Sequence, residues 1–131
     1  MSLPSLVGLA RPRTHLHAVL YWITALSACG DPLIAFNRDV LPILSNNCFQ
    51  CHGPDSSARK AELRLDIEER AKHPLKSGSV PIVPGDPLVS ELIMRISSAD
   101  PDELMPPPSS GKNLTVQERE LLRRWIEQGA H

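Results

Sequence analysis

The stretch SNNCFQCHGPD, residues 45–55, contains two cysteines separated by two residues and followed at once by a histidine. This CxxCH pattern is compatible with a zinc site, with a redox-active dithiol and with covalent attachment of haem. A disulfide between Cys48 and Cys51 is the simplest structural alternative in an exported protein. The surrounding sequence has to distinguish these chemistries.

The zinc and dithiol alternatives are weakly supported. A structural zinc site normally takes four ligands, often from two pairs, and the histidines that follow the motif, His73 and His131, belong to no second pair. A thioredoxin-type dithiol needs a cysteine at the start of a helix that follows a strand. Here the cysteine pair follows a predicted helix and precedes Gly53-Pro54.

Haem attachment uses all three residues of the motif. The thiols of Cys48 and Cys51 add to vinyl groups of the porphyrin, and His52 binds the iron from below the ring. A haem would also fill the interior of a chain in which only 4% of residues are aromatic, since small domains often need a cofactor to stay folded. We therefore expect one covalently bound haem c, with His52 as the proximal iron ligand.

The second axial ligand is predicted from the methionines. Met105 lies in DELMPPPSSG, where three prolines keep the backbone extended and can hold a thioether over the haem face. Methionine opposite histidine is common in electron-transfer haems. Met94 falls inside a predicted helix, one step off its apolar stripe, and is expected to have a packing role. Met105 is therefore the expected distal ligand, with packing under a loop as its alternative role.

The first 29 residues have the pattern of an export signal. Arg11 and Arg13 precede an uncharged run from Ala18 to Ala28, which is too short to cross a bilayer but suits the apolar region of a secretory signal. The LSAC that ends at Cys29 is similar to a bacterial lipobox, so Cys29 is expected to carry a lipid anchor. A plain cleaved signal, or a start placed too early, are the alternatives. We expect a short linker at 30–35 and a domain at 36–131.

The domain is predicted to be mostly α-helical, with long proline-containing loops, because ten of the thirteen prolines of the chain interrupt it and no strand-rich region appears. Four helices are expected: one from Asn37 to Asn47, with its cap at Asn37 or its start nearer Leu41; a small one capped by Asp66; one that starts at Asp86-Pro87 and runs to about Ser97; and one from Thr115 to Gly129, with a T-x-x-E capping box.

Apolar stripes predict how these helices pack. Leu88, Val89, Leu92, Ile93 and Ile96 should form a continuous buried stripe on the third helix. The last helix should cross the first, with Trp125 in the core rather than against the porphyrin.

The charge balance excludes one class of partner. Lysine and arginine number 14 against 15 acidic residues, which leaves a net charge of −1. No basic surplus is present to neutralise phosphates, so nucleic acid is not an expected partner. Arg59, Lys60 and Arg64 could pair with haem propionates, but solvated surface charge is the favoured role for each.

Five segments together resemble a known family: FNRDVLPILSNNCFQCHGPD, ARKAELRLD, IVPGDPLVSELIMRI, DELMPPP and LTVQERELLRRWIEQGA. They are similar, in order and content, to the planctomycete-type cytochrome c domain, from about Phe36 to Ala130. The resemblance implies an all-α, cytochrome c-like fold around one haem, with covalent attachment at Cys48 and Cys51 and iron bound by His52 and Met105. In that family the module usually stands ahead of further domains in larger exported proteins.

The expected function is electron transfer outside the cytoplasm, in the periplasm or cell envelope, without catalysis in this chain. Two alternatives remain open: a haem that senses a small ligand, and a haem-free interaction domain stapled by a Cys48–Cys51 disulfide. The redox partner is unknown. Other domains of a larger polypeptide are expected neighbours if the chain is truncated.

Overall fold

The computed structural model describes residues 31–131. The predicted export signal and Cys29 lie outside these residues. One turn of π-helix, Phe36–Val40, leads into α1 (Leu41–Asn47), which is followed by α2 (Phe49–His52), α3 (Glu68–Ala71), α4 (Glu91–Ile96), a short 3-10 turn (Pro108–Ser110) and α5 (Val116–Glu127). The described part of the chain contains helices and no strands, so the all-α prediction is confirmed.

Of the two starts predicted for the first helix, the structure agrees with the one near Leu41. Pro42 lies in the first turn of α1, where its missing N–H removes no helical hydrogen bond. The start near Leu41 is confirmed. The cap at Asn37 is wrong, because the turn before α1 begins at Phe36 and the Asp39 carboxylate accepts a hydrogen bond of 2.8 Å from the Ala35 N–H.

The small helix α3 is present, but its predicted cap is wrong. Ile67 precedes the helix and provides no side-chain cap. The Asp66 carboxylate instead accepts hydrogen bonds from the Arg64 guanidinium. The Asp66 side chain is therefore paired with Arg64 and does not cap the N-terminus of α3.

Helix α4 begins later than predicted, at Glu91 rather than at Pro87. The buried Ser90 hydroxyl donates to the Asp86 carbonyl at 2.8 Å and accepts from the Val83 N–H at 2.9 Å, so residues 83–90 form a loop closed on itself. The stripe is consequently shorter than expected: Leu88 is 83% exposed and Val89 53% exposed, whereas Leu92 and Ile96 are buried.

Helix α5 agrees with the prediction at both ends. The Thr115 hydroxyl accepts from the Glu118 N–H at 3.1 Å, and the Glu118 carboxylate accepts from the Thr115 N–H at 2.8 Å, which completes the capping box. Gly129 follows the helix with φ +102°, a conformation that glycine adopts without strain.

The core forms where α5 packs against the Phe36–Val40 turn and against α4. The Phe36 and Trp125 rings lie with centroids 5.7 Å apart, and Trp125 Nε1 donates to the His131 carbonyl at 2.9 Å. Trp125 is only 4% exposed, so its predicted place in the core is confirmed. The other large core side chains include Val40, Ile43, Leu44, Leu65, Ile82, Leu122 and Ile126.

Residues 31–35 have no regular structure but are held against α5. The Ile34 N–H donates to Gln128 Oε1 at 2.9 Å, and Arg124 pairs with Asp31 at 3.1 Å. Among the helices that the structure describes, none has the length and apolar character needed to cross a membrane.

Candidate functional site

The CxxCH motif is wound into a single helical turn. Helix α1 ends at Asn47, the Cys48 N–H donates to Leu44 O at 2.8 Å, and the chain then turns into α2. The N–H groups of Cys51 and His52 both donate to Cys48 O, at 3.1 and 2.8 Å. Residues three and four apart in a helical turn lie on one face. The turn therefore presents both thiols and the imidazole to one side.

That side faces a cavity of about 800 Å³, within the range of about 300–1,000 Å³ that is usual for small-molecule and cofactor sites. Cys48, Cys51 and His52 line it, and so does Met105, more than fifty residues later in the chain. Much of the remaining wall is apolar and is formed by Leu63, Leu65, Leu75, Leu92 and Ile96. The fold thus brings all four predicted site residues of the domain to one cavity.

His52 is half-buried at this wall. Burial lowers the pKa of its imidazole, and the Lys60 backbone opposes that shift more weakly. Its Nδ1 is one of two buried side-chain polar atoms without a hydrogen-bond partner in the described part of the chain. Burial therefore favours the neutral imidazole, which is the form that binds metals.

The two cysteines are half-buried free thiols. Burial raises the pKa of the Cys48 thiol to about 11, and the nearby Lys112 ammonium lowers it by less. A reactive dithiol of the thioredoxin type depends on a lowered thiol pKa, so Cys48 lacks the property that this chemistry requires. No three His, Cys, Asp or Glu side chains within residues 31–131 are grouped in a way that could hold a metal ion.

Met105 is half-buried and is joined to Pro106 by a cis peptide bond. Its N–H donates to the Arg95 carbonyl at 3.0 Å, which ties the loop to α4. Met94, for which a packing role is expected, is 47% exposed and does not line the cavity. The histidines His73 and His131 are exposed and do not line the cavity. Met105 is therefore the methionine that the fold places at the site.

The three cations considered as propionate partners have different surroundings. Arg59 donates to the carbonyls of Gly53 and Pro54, at 3.1 and 2.8 Å, and Arg64 pairs with Asp66. Lys60 is exposed and lines the cavity. Lys60 is thus the one of these three that the fold brings to the site.

Sequence reasoning missed three charged residues of the cavity wall: Glu91, Arg95 and Lys112. Arg95 donates to Glu91 Oε1 at 2.6 Å and also pairs with Glu103. The i,i+4 spacing of Glu91 and Arg95 indicated their pairing, but not that they face the cavity. Lys112 donates to the Asn46 carbonyl at the end of α1, and no local pattern signals that contact.

Residues 48–109 match the family model described as Planctomycete cytochrome C. The match includes the CxxCH turn and the Met105 loop, while the outer parts of the expected resemblance, residues 36–47 and 110–130, lie beyond it. No curated protein and no solved structure was found to match the chain. The resemblance expected from the sequence is confirmed over residues 48–109, which are similar to the planctomycete-type cytochrome c family.

Proposed function

We propose that this domain transfers single electrons by means of one covalently attached haem c. Cys48 and Cys51 would provide the thioether bonds, His52 the proximal ligand and Met105 the distal ligand. The observation that supports this most strongly is the single cavity of about 800 Å³ that all four side chains line. This donor set suits a haem with histidine and methionine ligands. The match of residues 48–109 to a cytochrome c family model supports the same cofactor.

The residues of the cavity fit the chemistry of that group. Two thiols, one neutral imidazole and one thioether are the required donors, and the leucine and isoleucine wall suits an apolar macrocycle. When bound, haem c supplies a one-electron couple between Fe(III) and Fe(II). The protein residues bind it, orient it and limit its contact with water.

The wider setting is part of the same proposal. The signal-like residues 1–29 favour export to the periplasm or cell envelope, and Cys29 would anchor the mature chain to a membrane. The domain acts as a carrier rather than as an enzyme. Its redox partner would approach the open side of the cavity through a small transient interface, and further domains of a larger polypeptide would be its neighbours.

The decisive experiment is expression of the full chain in a host able to attach c-type haem. We expect the mature protein to gain the mass of one haem and to give the pyridine haemochrome spectrum of two thioether bonds. The Cys48→Ala/Cys51→Ala variant should lose the covalent mass. A folded wild-type protein without added haem would overturn the proposal and favour the haem-free interaction domain stapled by a Cys48–Cys51 disulfide.

A second candidate function is binding of a small ligand at the iron position opposite His52. It is favoured by a second cavity of about 280 Å³, which also has Met105 in its wall together with Leu104, Leu114 and Arg119. Met105 could move toward this space and leave an iron position open. Carbon monoxide binding by the reduced protein separates the two functions: rapid binding favours ligand sensing, whereas slow and weak binding favours electron transfer.

A further inference from the structure

Arg95 makes hydrogen bonds to three residues: Met105, Glu91 and Glu103. Its backbone carbonyl accepts a hydrogen bond of 3.0 Å from the Met105 N–H. Its Nε donates to Glu91 Oε1 at 2.6 Å, within α4, and its Nη1 donates to Glu103, two residues before Met105. One residue thus contacts the Met105 loop through both its backbone and its side chain.

The loop between Arg95 and Met105 is compact enough to transmit that contact. The N–H groups of Glu103 and Leu104 both donate to the Asp100 carbonyl, at 3.1 and 2.8 Å. Glu103 therefore belongs to the same hydrogen-bonded turn that leads into Met105. An ion pair that holds the Glu103 carboxylate in place therefore also restricts the backbone just before Met105.

The other end of the connection is the protein core. Helix α4 is anchored by Leu92 and Ile96, which are 8% and 3% exposed. The Arg95 side chain extends from this helix along the wall of the large cavity and is 35% exposed. Its pair with Glu103 consequently joins a loop, an element type that is usually mobile, to a helix that is anchored in the core.

The position of the Met105 side chain can differ because Met105 borders two cavities. One is the site of about 800 Å³ that contains the CxxCH side chains, and the other is the space of about 280 Å³ on the side of Leu104 and Leu114. We propose that Arg95 is a positioning residue that holds Met105 toward the large cavity through its pair with Glu103. This inference rests on the proposed role of Met105 as the distal iron ligand.

Arginine suits this role better than lysine. A guanidinium has separate N–H groups for two carboxylates in a fixed plane, whereas an ammonium is a point charge on a flexible stem. We therefore expect Arg95→Lys to keep part of the effect. The pair with Glu103, whose side chain is 54% exposed, is screened by water, so its loss should shift the position of Met105 rather than unfold the domain.

The test compares haem-loaded full-length variants by the weak absorption band that a methionine sulfur gives when bound to ferric haem iron. Arg95→Ala and Glu103→Gln should each weaken this band, and each should raise the apparent affinity of the reduced protein for carbon monoxide by about three- to tenfold. Glu103→Gln is the safer variant for folding, because it keeps Arg95 and the size of the side chain.

Arg123→Ala is the matched control. Arg123 also pairs with two carboxylates, Glu120 and Glu127, but it lies on α5 and does not line the cavity. Its removal should leave the band and the carbon monoxide affinity unchanged. A combined Arg95→Ala/Glu103→Ala variant should show little more effect than either single change, since both remove one interaction.

The outcomes separate this inference from the function on which it rests. Weakening of the band in Arg95→Ala and Glu103→Gln, but not in Arg123→Ala, supports the inference. A wild-type band that disappears in Met105→Ala but persists in both Arg95→Ala and Glu103→Gln overturns the inference alone, as does an equal change in Arg123→Ala. A band unaffected by Met105→Ala overturns the ligand role and the inference together.

Discussion

Gly53 lies so close to Phe49 that a β-carbon at position 53 would come within 2.9 Å of the Phe49 β-carbon and nearer still to its carbonyl oxygen. The backbone of Gly53 is extended, with φ −120° and ψ −156°, which any residue can adopt. The glycine is therefore required by lack of space and not by backbone conformation. The turn immediately after His52 depends on it.

We expect Gly53→Ala to lower the free energy of unfolding by about 1–3 kcal/mol, because overpacking forces the backbone to move. The movement should displace His52 and reduce the yield of covalent haem. Chemical unfolding and haem content per chain measure the two effects.

The control for this change is Gly85→Ala. Gly85 has φ +83°, and a β-carbon added there would have no neighbouring atom within 4 Å. Alanine at this position therefore costs only about 1–2 kcal/mol of backbone strain and should leave haem attachment intact. Equal haem yield in the two variants would contradict the steric explanation.

The ligand assignment predicts different results for the two methionines of the domain. Met105→Ala should lower the reduction potential and abolish the methionine band of the ferric protein, because a thioether ligand stabilises the reduced iron. Met94→Ala should change neither, since Met94 is 47% exposed and does not line the cavity. Potentiometry with optical detection gives both readings. An unchanged potential in Met105→Ala would argue against this ligand.

The two leucines of the predicted stripe should respond unequally to truncation. Leu92→Ala should cost about 2–5 kcal/mol, because Leu92 is 8% exposed and its loss leaves a cavity. Leu88→Ala should change the free energy of unfolding by less than about 0.5 kcal/mol, because Leu88 is 83% exposed. Similar losses of unfolding free energy in the two variants, measured by urea unfolding, would contradict this difference in burial and would support the continuous stripe that the sequence predicted.

Local chemistry explains which helices could be predicted. The capping box of Thr115 and Glu118 involves residues three apart, so the sequence contains everything that determines the start of α5. The start of α4 depends instead on Ser90, whose hydroxyl bonds to both Asp86 and Val83. Those bonds need a folded loop, and they override the local preference of Asp86-Pro87 for starting a helix.

The site shows the same division. The sequence predicted that Cys48, Cys51 and His52 act together because they form one motif, and it singled out Met105 because a proline-rich loop restricts its backbone. The structure places all four in the wall of one cavity. Lys112 reaches Asn46 across 66 positions of sequence, and Arg95 reaches the cavity only because α4 packs in the core. Contacts created by tertiary packing have no local pattern, so the sequence did not reveal them.

The Arg64–Asp66 pair predicts a pH-dependent contribution to stability. Arg64 Nε donates to Asp66 Oδ1 at 2.8 Å, and the Asp66 side chain is only 17% exposed. The hydrogen bonds from Arg64 hold the pKa of the Asp66 carboxyl below its ordinary value. A carboxyl with a lowered pKa in the folded state stabilises the protein above its unfolded pKa of about 3.9, and that contribution is lost as the pH falls through the folded pKa.

We therefore expect Asp66→Asn to lower the free energy of unfolding by about 0.5–1 kcal/mol at neutral pH. The difference from wild type should shrink as the pH falls below the unfolded pKa of about 3.9 and through the lower folded pKa, because protonation removes the charge of the wild-type carboxyl. Asp102→Asn is the control, because the Asp102 carboxylate makes no ion pair in the described part of the chain. It should change the free energy by less than about 0.5 kcal/mol at neutral pH. If the loss of unfolding free energy in Asp66→Asn stayed constant down to acid pH, the effect would be assigned to packing. An ion-pair contribution has to disappear when the wild-type carboxyl is protonated.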